Sequence, residues 1–292
     1  MLPVKSTTAG IAYRDSGDVG APVVFCVHGF PDIPRTWDPL TATLVGKGYR
    51  VVAPWLPGYA PSSLAAPLDP VSVADRLLAF ADEIAGADSS IYLVGHDWGA
   101  VCGYLMLYKQ PERFRAAAML AIPHLRAVEE NGPDHPSQLL RSSYMAFFQV
   151  PFVSERALRV RSFAMVEKLW QIWSPGFEPE IDYMDELKTC LSESLPAPLL
   201  YYRALRSPKQ IRSMRALITD DPMNVPTLYL HGERDGCMVP AIGKGQAKYF
   251  GSMFEEVHLA EAGHFLHLER PVEVNTAVAD WFGTHSPSLP PA

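Results

Sequence analysis

The 292-residue chain is short of several features that would commit it to a special class. Its four cysteines, Cys26, Cys102, Cys190 and Cys237, stand far apart, with no CxxC pair and no cysteine–histidine cluster. That argues against a disulfide framework and against a metal site, and the expectation is free thiols in a reducing compartment. No apolar run approaches the roughly 20 residues that span a bilayer. No basic run occurs and the net charge is −7, which argues against a nucleic-acid partner. The first residues, Met1-Leu2-Pro3-Val4-Lys5, carry neither a charged leader nor an apolar core, so the expected location is the cytoplasm, with no membrane attachment. No internal repeat appears.

What remains is an ordinary globular composition, 48% hydrophobic and 20% charged, with an alternating rhythm. Strand-like runs at 23–27, 49–53, 91–94 and 116–122 alternate with helical patterns at 71–85 and 98–110. The rhythm predicts an α/β fold with a mostly parallel sheet flanked by helices. Val23-Val24-Phe25-Cys26-Val27 is apolar throughout, as a strand buried on both faces requires. Between Pro123 and Pro222 the alternation gives way to helical, aromatic-rich sequence punctuated by prolines. It resumes with a strand at 227–230, a helix near 240–250, a strand at 255–259 and a last helix at 271–282. The expected organisation is therefore a core of residues 1–122 and 223–292, interrupted by a helical cap over residues 123–222. The proline-rich tail from Ser286 is expected to fray.

The chemistry concentrates at strand ends. Val94-Gly95-His96-Asp97-Trp98-Gly99-Ala100 joins a strand directly to a helix through a small-x-nucleophile-x-small turn. Asp97 stands where serine is usual. A carboxylate that attacks carbon forms an alkyl ester, so this position favours ring opening or halide displacement over acyl transfer. The competing reading is a turn aspartate that caps the following helix. His28-Gly29-Phe30-Pro31 follows the buried strand, Asp235 follows strand 227–230, and His264 follows strand 255–259. Ligands of open parallel sheets bind beyond the carboxyl ends of strands, so these loops should converge. The order 97, 235, 264 is that of nucleophile, acid and histidine in α/β-hydrolases. His264 is the candidate water-activating base and Asp235 the carboxylate that orients it. Asp220 and Asp221 compete for that second role but precede their strand. The backbone N–H groups of Phe30 and Trp98 are the expected oxyanion hole. His28 should order its loop.

On these motifs the sequence resembles the α/β-hydrolase superfamily over nearly its whole length, and within it the epoxide hydrolases, relatives of haloalkane dehalogenases. His28-Gly29-Phe30-Pro31, Gly95-His96-Asp97-Trp98-Gly99 and Gly263-His264-Phe265 carry the likeness. It implies two cap tyrosines that polarise an epoxide oxygen. Tyr144, in Tyr144-Met145-Ala146-Phe147-Phe148-Gln149-Val150-Pro151, and Tyr202, in Tyr202-Arg203, match their settings; Tyr183 and Tyr201 are nearby decoys. It further implies hydrolysis of a small apolar epoxide to a diol, without cofactor or metal. Phe30, Trp98, Phe147, Phe148 and Trp170 are the candidate substrate contacts. The loop Trp55-Leu56-Pro57-Gly58-Tyr59-Ala60-Pro61 departs from relatives at Trp55 and Ala60 and is expected to border the crevice. Haloalkane dehalogenation is the alternative, yet Phe30 replaces the asparagine frequent there, leaving Trp170 or Trp173 to supply a second halide donor. The fluoroacetate variant wants an arginine where Trp98 stands. A non-catalytic binder on the same scaffold is the third reading. Oligomeric state and substrate identity are not encoded in any motif.

Overall fold

The computed structural model describes residues 4–219, 221–251 and 253–286. Eight strands form one sheet: β1 (Lys5–Ser6), β2 (Ala12–Ser16), β3 (Val23–Val27), β4 (Arg50–Pro54), β5 (Ile91–His96), β6 (Phe114–Leu120), β7 (Thr227–Gly232) and β8 (Phe254–Leu259). Their order is β1-β2-β4-β3-β5-β6-β7-β8. β1 and β2 pair antiparallel, as do β2 and β4; every pairing from β4 to β8 is parallel. The first two strands, short and rich in polar residues, carry too little periodicity to be legible in the sequence. β3, β5 and β7 are buried along their whole length, as the unbroken apolar run of β3 and the apolar centres of β5 and β7 require. β8 closes one edge, and its exposed charges Glu255 and Glu256 discourage further pairing.

Helices α1 (Asp38–Gly46), α2 (Pro70–Ala85) and α3 (Trp98–Lys109) pack on the sheet. Asp69 caps α2 by accepting from Ser72 N–H at 3.1 Å, and Pro70 occupies its first turn, where a missing N–H costs nothing. Between β6 and β7 lie α4 (Leu125–Asn131), α5 (Pro136–Arg141), α6 (Ser143–Phe148), α7 (Val153–Arg159), α8 (Ala164–Trp173), α9 (Ile181–Ser194), α10 (Ala197–Ala204) and α11 (Pro208–Leu217). After β8 come α12 (Leu266–Glu269) and α13 (Pro271–Thr284). The helix expected near 240–250 is instead two 3₁₀ turns, Pro240–Gly243 and Gln246–Tyr249. Gly243 and Gly245 divide the segment, and Gly245 adopts φ +76°, which no continuous helix accommodates. The end of the expected frayed tail, 287–292, lies outside the described residues.

The connectivity positions the loops. The chain runs from β3 to β4 on one side of β3, then returns to place β5 on its other side. β3 and β5 are parallel, with Val27 opposite Gly95. The loops leaving their carboxyl ends are therefore neighbours, and the sheet's topological switch point falls between them. Close approach of α3 to β3 depends on Gly99: a Cβ there would lie 2.0 Å from the carbonyl oxygen of Val27.

Gly99→Ala should accordingly cost more than about 2 kcal/mol, since overpacking against backbone has no side chain to yield. Gly46→Ala, where a Cβ meets nothing within 4 Å, should leave stability unchanged or slightly raised. Chemical denaturation of both variants checks this; equal effects would contradict the packing account.

Candidate active site

Asp97 is the single residue between β5 and α3, with φ 51° and ψ −120°. For a residue with a Cβ this conformation costs about 1–3 kcal/mol, which the surrounding structure must outweigh. Its carbonyl accepts from Ala100 N at 2.9 Å and Val101 N at 3.0 Å, anchoring the turn to the first turn of α3. Its side chain is held from the β3 loop: Phe30 N–H donates to Asp97 Oδ1 at 2.7 Å. Gly29 permits that approach, because a Cβ there would lie 2.4 Å from Asp97 Oδ1. The helix-capping alternative does not describe the geometry, as no side-chain cap joins Asp97 to α3. His28, fully buried, accepts from Leu56 N–H through Nε2 at 3.1 Å and packs edge-on against Tyr59.

His264 Nδ1 lies 2.8 Å from Asp235 Oδ2, and its Nε2 lies 3.6 Å from Asp97 Oδ2 with no hydrogen-bond partner. Asp235 Oδ1 accepts from Cys237 N at 2.6 Å and Met238 N at 2.9 Å, so both its oxygens are engaged. Burial alone would raise the Asp235 carboxyl, but the charge and hydrogen bonds of His264 and His231 prevail and hold it well below the usual carboxylate range. Burial alone would lower His264. The Asp235 carboxylate first, and Asp97 after it, outweigh burial and raise His264 to about 10. The resting group is thus an imidazolium between two carboxylates. Asp221, a competitor for the Asp235 position, is exposed, and Asp220 lies outside the described residues.

Two tyrosines face this group from α6 and α10. Both are held by the residues that make their local sequences distinctive. Gln149 Nε2 donates to Tyr202 O at 2.9 Å, and Arg203 Nε donates to Phe148 O at 3.0 Å, so α6 and α10 are tied reciprocally. The Arg203 guanidinium also pairs with Glu155 at 2.7 Å. The rings of Tyr144 and Tyr202 meet edge-on at 5.8 Å, and Tyr202 stands over Trp98 at 5.0 Å and Phe30 at 5.4 Å. Tyr202 is 1% exposed, yet its hydroxyl has no hydrogen-bond partner. An unsatisfied buried hydroxyl of this kind needs a partner from elsewhere. Tyr144 Oη approaches Cys237 Sγ at 3.6 Å. Burial, with the Asp97 charge adding to it, keeps both phenols well above their ordinary range, so both stay protonated donors. The decoys are committed elsewhere: Tyr201 donates to Pro57 O at 2.6 Å, and the Tyr183 hydroxyl bonds Asp32.

A cavity of about 180 Å³ opens between these groups, lined by Asp97, Trp98, Tyr144, Tyr202 and Cys237. Its apolar wall includes Val101, Ile122, Leu125, Leu205, Met214 and Met238. Of the aromatic residues singled out as substrate contacts, Trp98 lines it. Phe30, Phe147, Phe148 and Trp170 do not. Phe148 is fully buried against Phe30 and Tyr202 as support behind the phenols, and Phe147 packs on Phe148. Trp170 stacks on Phe265 at 3.6 Å, and its indole N–H donates to Pro31 O at 3.0 Å. The 55–61 loop also stands back from the cavity. Ala60 N–H donates to Ser194 Oγ at 2.8 Å, and Ala60 O accepts from Cys190 Sγ, so the loop braces α9. Two residues beside the site escaped sequence reasoning, Cys237 on the cavity wall and His231 buried behind Asp235. His231 has its Nε2 3.2 Å from Asp235 Oδ2, and Cys237 reaches both Tyr144 and the triad. Their adjacency in sequence to Asp235 was the available signal.

A strand-end carboxylate, a histidine backed by a second carboxylate, and the chain order 97, 235, 264 on a switch-point sheet together carry a family signature. The Alpha/beta hydrolase family profile matches residues 23–277. The chain belongs to the alpha/beta hydrolase family. Among members of that family, it is 29% identical to Epoxide hydrolase 3 of Xenopus tropicalis, over 96% of this chain and 76% of the relative. It is 27% identical to human Epoxide hydrolase 4, over 94% and 76%. The crystal structure of a putative epoxide hydrolase from Klebsiella pneumoniae superposes with a TM-score of 0.81 at 24% identity, over 95% of this chain and 96% of that one. Among the described residues no helix of this hydrolase is long and apolar enough to cross a membrane.

Asp97→Asn should lower the His264 pKa from about 10 by about one to three pH units, because one of the two flanking charges is lost. Histidine-labelled NMR titration reads it, and an unmoved His264 resonance would contradict the coupling.

Proposed function

We propose that this hydrolase opens small apolar epoxides to vicinal diols through an alkyl ester on Asp97. The observation that carries the reading is the cavity in which a carboxylate faces two phenols, the half-buried Tyr144 and the buried Tyr202 with its unpartnered hydroxyl. The names of the relatives add to it. Residues 123–222 act as the cap, supplying both phenols from above the sheet.

In this reading Tyr144 and Tyr202 donate to the epoxide oxygen. They offset the charge that grows as the C–O bond breaks, and one gives up its proton to the alkoxide. Asp97 Oδ2 attacks the ring carbon, leaving Oδ1 as the ester carbonyl oxygen beside the Phe30 N–H. Esterification removes the Asp97 charge, which is part of what holds His264 protonated. His264 then releases its proton, which restores the phenol that protonated the alkoxide, and becomes the base that the next step needs. Held by Asp235, it takes a proton from water, which attacks the Asp97 carbonyl carbon. The backbone N–H groups of Phe30 and Trp98 hold the oxyanion on Oδ1. Collapse releases the diol and restores the carboxylate.

Halide displacement is less well supported. Its second donor would come from Trp170 or Trp173, and the Trp170 N–H is already spent on Pro31 O. A cytoplasmic location fits four cysteines that are all buried and unpaired.

His264→Gln should stop hydrolysis while leaving alkylation possible. Incubation with styrene oxide should give a protein whose intact mass rises by one epoxide, with the adduct on the Asp97 peptide. The wild-type protein should convert the same epoxide to diol and release no halide from bromoalkanes. An unmodified variant beside an inactive wild type across aromatic and aliphatic epoxides would overturn the assignment.

A further inference from the structure

Cys237 has no part in the proposed reaction, yet its thiol faces the cavity beside the groups that do. One ligand atom each from Asp97, Cys237 and His264 lies within 4.8 Å of the others, and all three residues are buried. Three further observations make this more than a lone thiol. His264 is fully buried and its Nε2 has no hydrogen-bond partner. That nitrogen stands 3.6 Å from Asp97 Oδ2, close to the roughly 3.3 Å that separates nitrogen and oxygen ligands on tetrahedral zinc. The other ring nitrogen is fixed by Asp235 at 2.8 Å, the carboxylate–histidine arrangement that orients imidazole ligands toward zinc.

We infer that the cavity floor is an inhibitory site for a thiophilic divalent cation such as zinc. The cation would be held by the Asp97 carboxylate, Cys237 Sγ and His264 Nε2, with a cavity water in the fourth position. Binding displaces the thiol proton and the Nε2 proton, so affinity rises with pH. One cation occupies the nucleophile and the base together, which makes inhibition competitive with substrate and reversible by a chelator. The sulfur and nitrogen ligands select zinc, cobalt or cadmium over magnesium and calcium, which prefer all-oxygen shells. The exposed His258, flanked by Glu233 and Glu256 at 2.6 and 2.7 Å, offers zinc no thiolate.

The test reads the metal directly. Cobalt(II) added to the wild-type protein should give a thiolate-to-cobalt charge-transfer band that zinc displaces at one equivalent. Cys237→Ala should lose the band, and His264→Gln should bind zinc at least about tenfold more weakly in competition with a chromophoric chelator. Two variants with thermal unfolding checked keep the test independent of either one failing to fold. Absence of the band, its persistence in Cys237→Ala, or equal zinc affinity in all three proteins would overturn the site. The site shares Asp97 and His264 with the proposed reaction. Because the band and the affinity are measured without substrate, they succeed or fail separately from the epoxide reading.

Discussion

Asp97 is held in a backbone conformation that a side-chain-bearing residue adopts only under constraint, at φ 51°. The constraint comes from two parallel strands lying side by side. β5 delivers Asp97 at the carboxyl end of the central strands, and the loop after β3 delivers a peptide N–H that donates to its carboxylate at 2.7 Å. Gly29 in the loop after β3 and Gly99 in the first turn of α3 remove the Cβ atoms that would otherwise keep the segments apart. The position of the carboxylate is therefore a property of the sheet, and the cost of its backbone is distributed over the buried strands around it. Everything that approaches Asp97 does so against this fixed point.

Charge is the second element of the site. His264 lies between two carboxylates, bonded to one and 3.6 Å from the other. An imidazole so placed is protonated in the resting protein and cannot serve as a base until one neighbour loses its charge. In the proposed reaction the ester does that, so the order of the two half-reactions follows from electrostatics. The same proximity opens the group to a cation, because a nitrogen, a sulfur and an oxygen converge on a small cavity.

Much of this was readable from residues alone. The strand-end motifs survived because each combines an apolar run with small residues at a turn, a pattern with few other structural meanings. Tyr144 and Tyr202 were singled out by the family resemblance, whose matching settings include Gln149 and Arg203, and these two cross-link α6 and α10 through backbone carbonyls. Less legible was which aromatic residues face the cavity. Phe147, Phe148 and Trp170 sit in helical sequence, where direction depends on how α6 and α8 pack against the neighbouring helices and loops, and they pack behind the cavity. The 240–250 segment reads as helical only if Gly243 and Gly245 are ignored. β2 is legible only through its pairing with the distant β4, and β1 only through its pairing with β2. Cys237 was invisible because its importance lies in distances to Tyr144, Asp97 and His264.

Single turnover in heavy-oxygen water tests the central claim most directly. With protein in excess over epoxide, water that attacks the Asp97 carbonyl leaves its oxygen in the protein. The account predicts an unlabelled first diol and one heavy oxygen in the peptide containing Asp97. Heavy oxygen in the first diol, with that peptide unlabelled, would mean that water attacks the ring directly and that Asp97 is not the nucleophile.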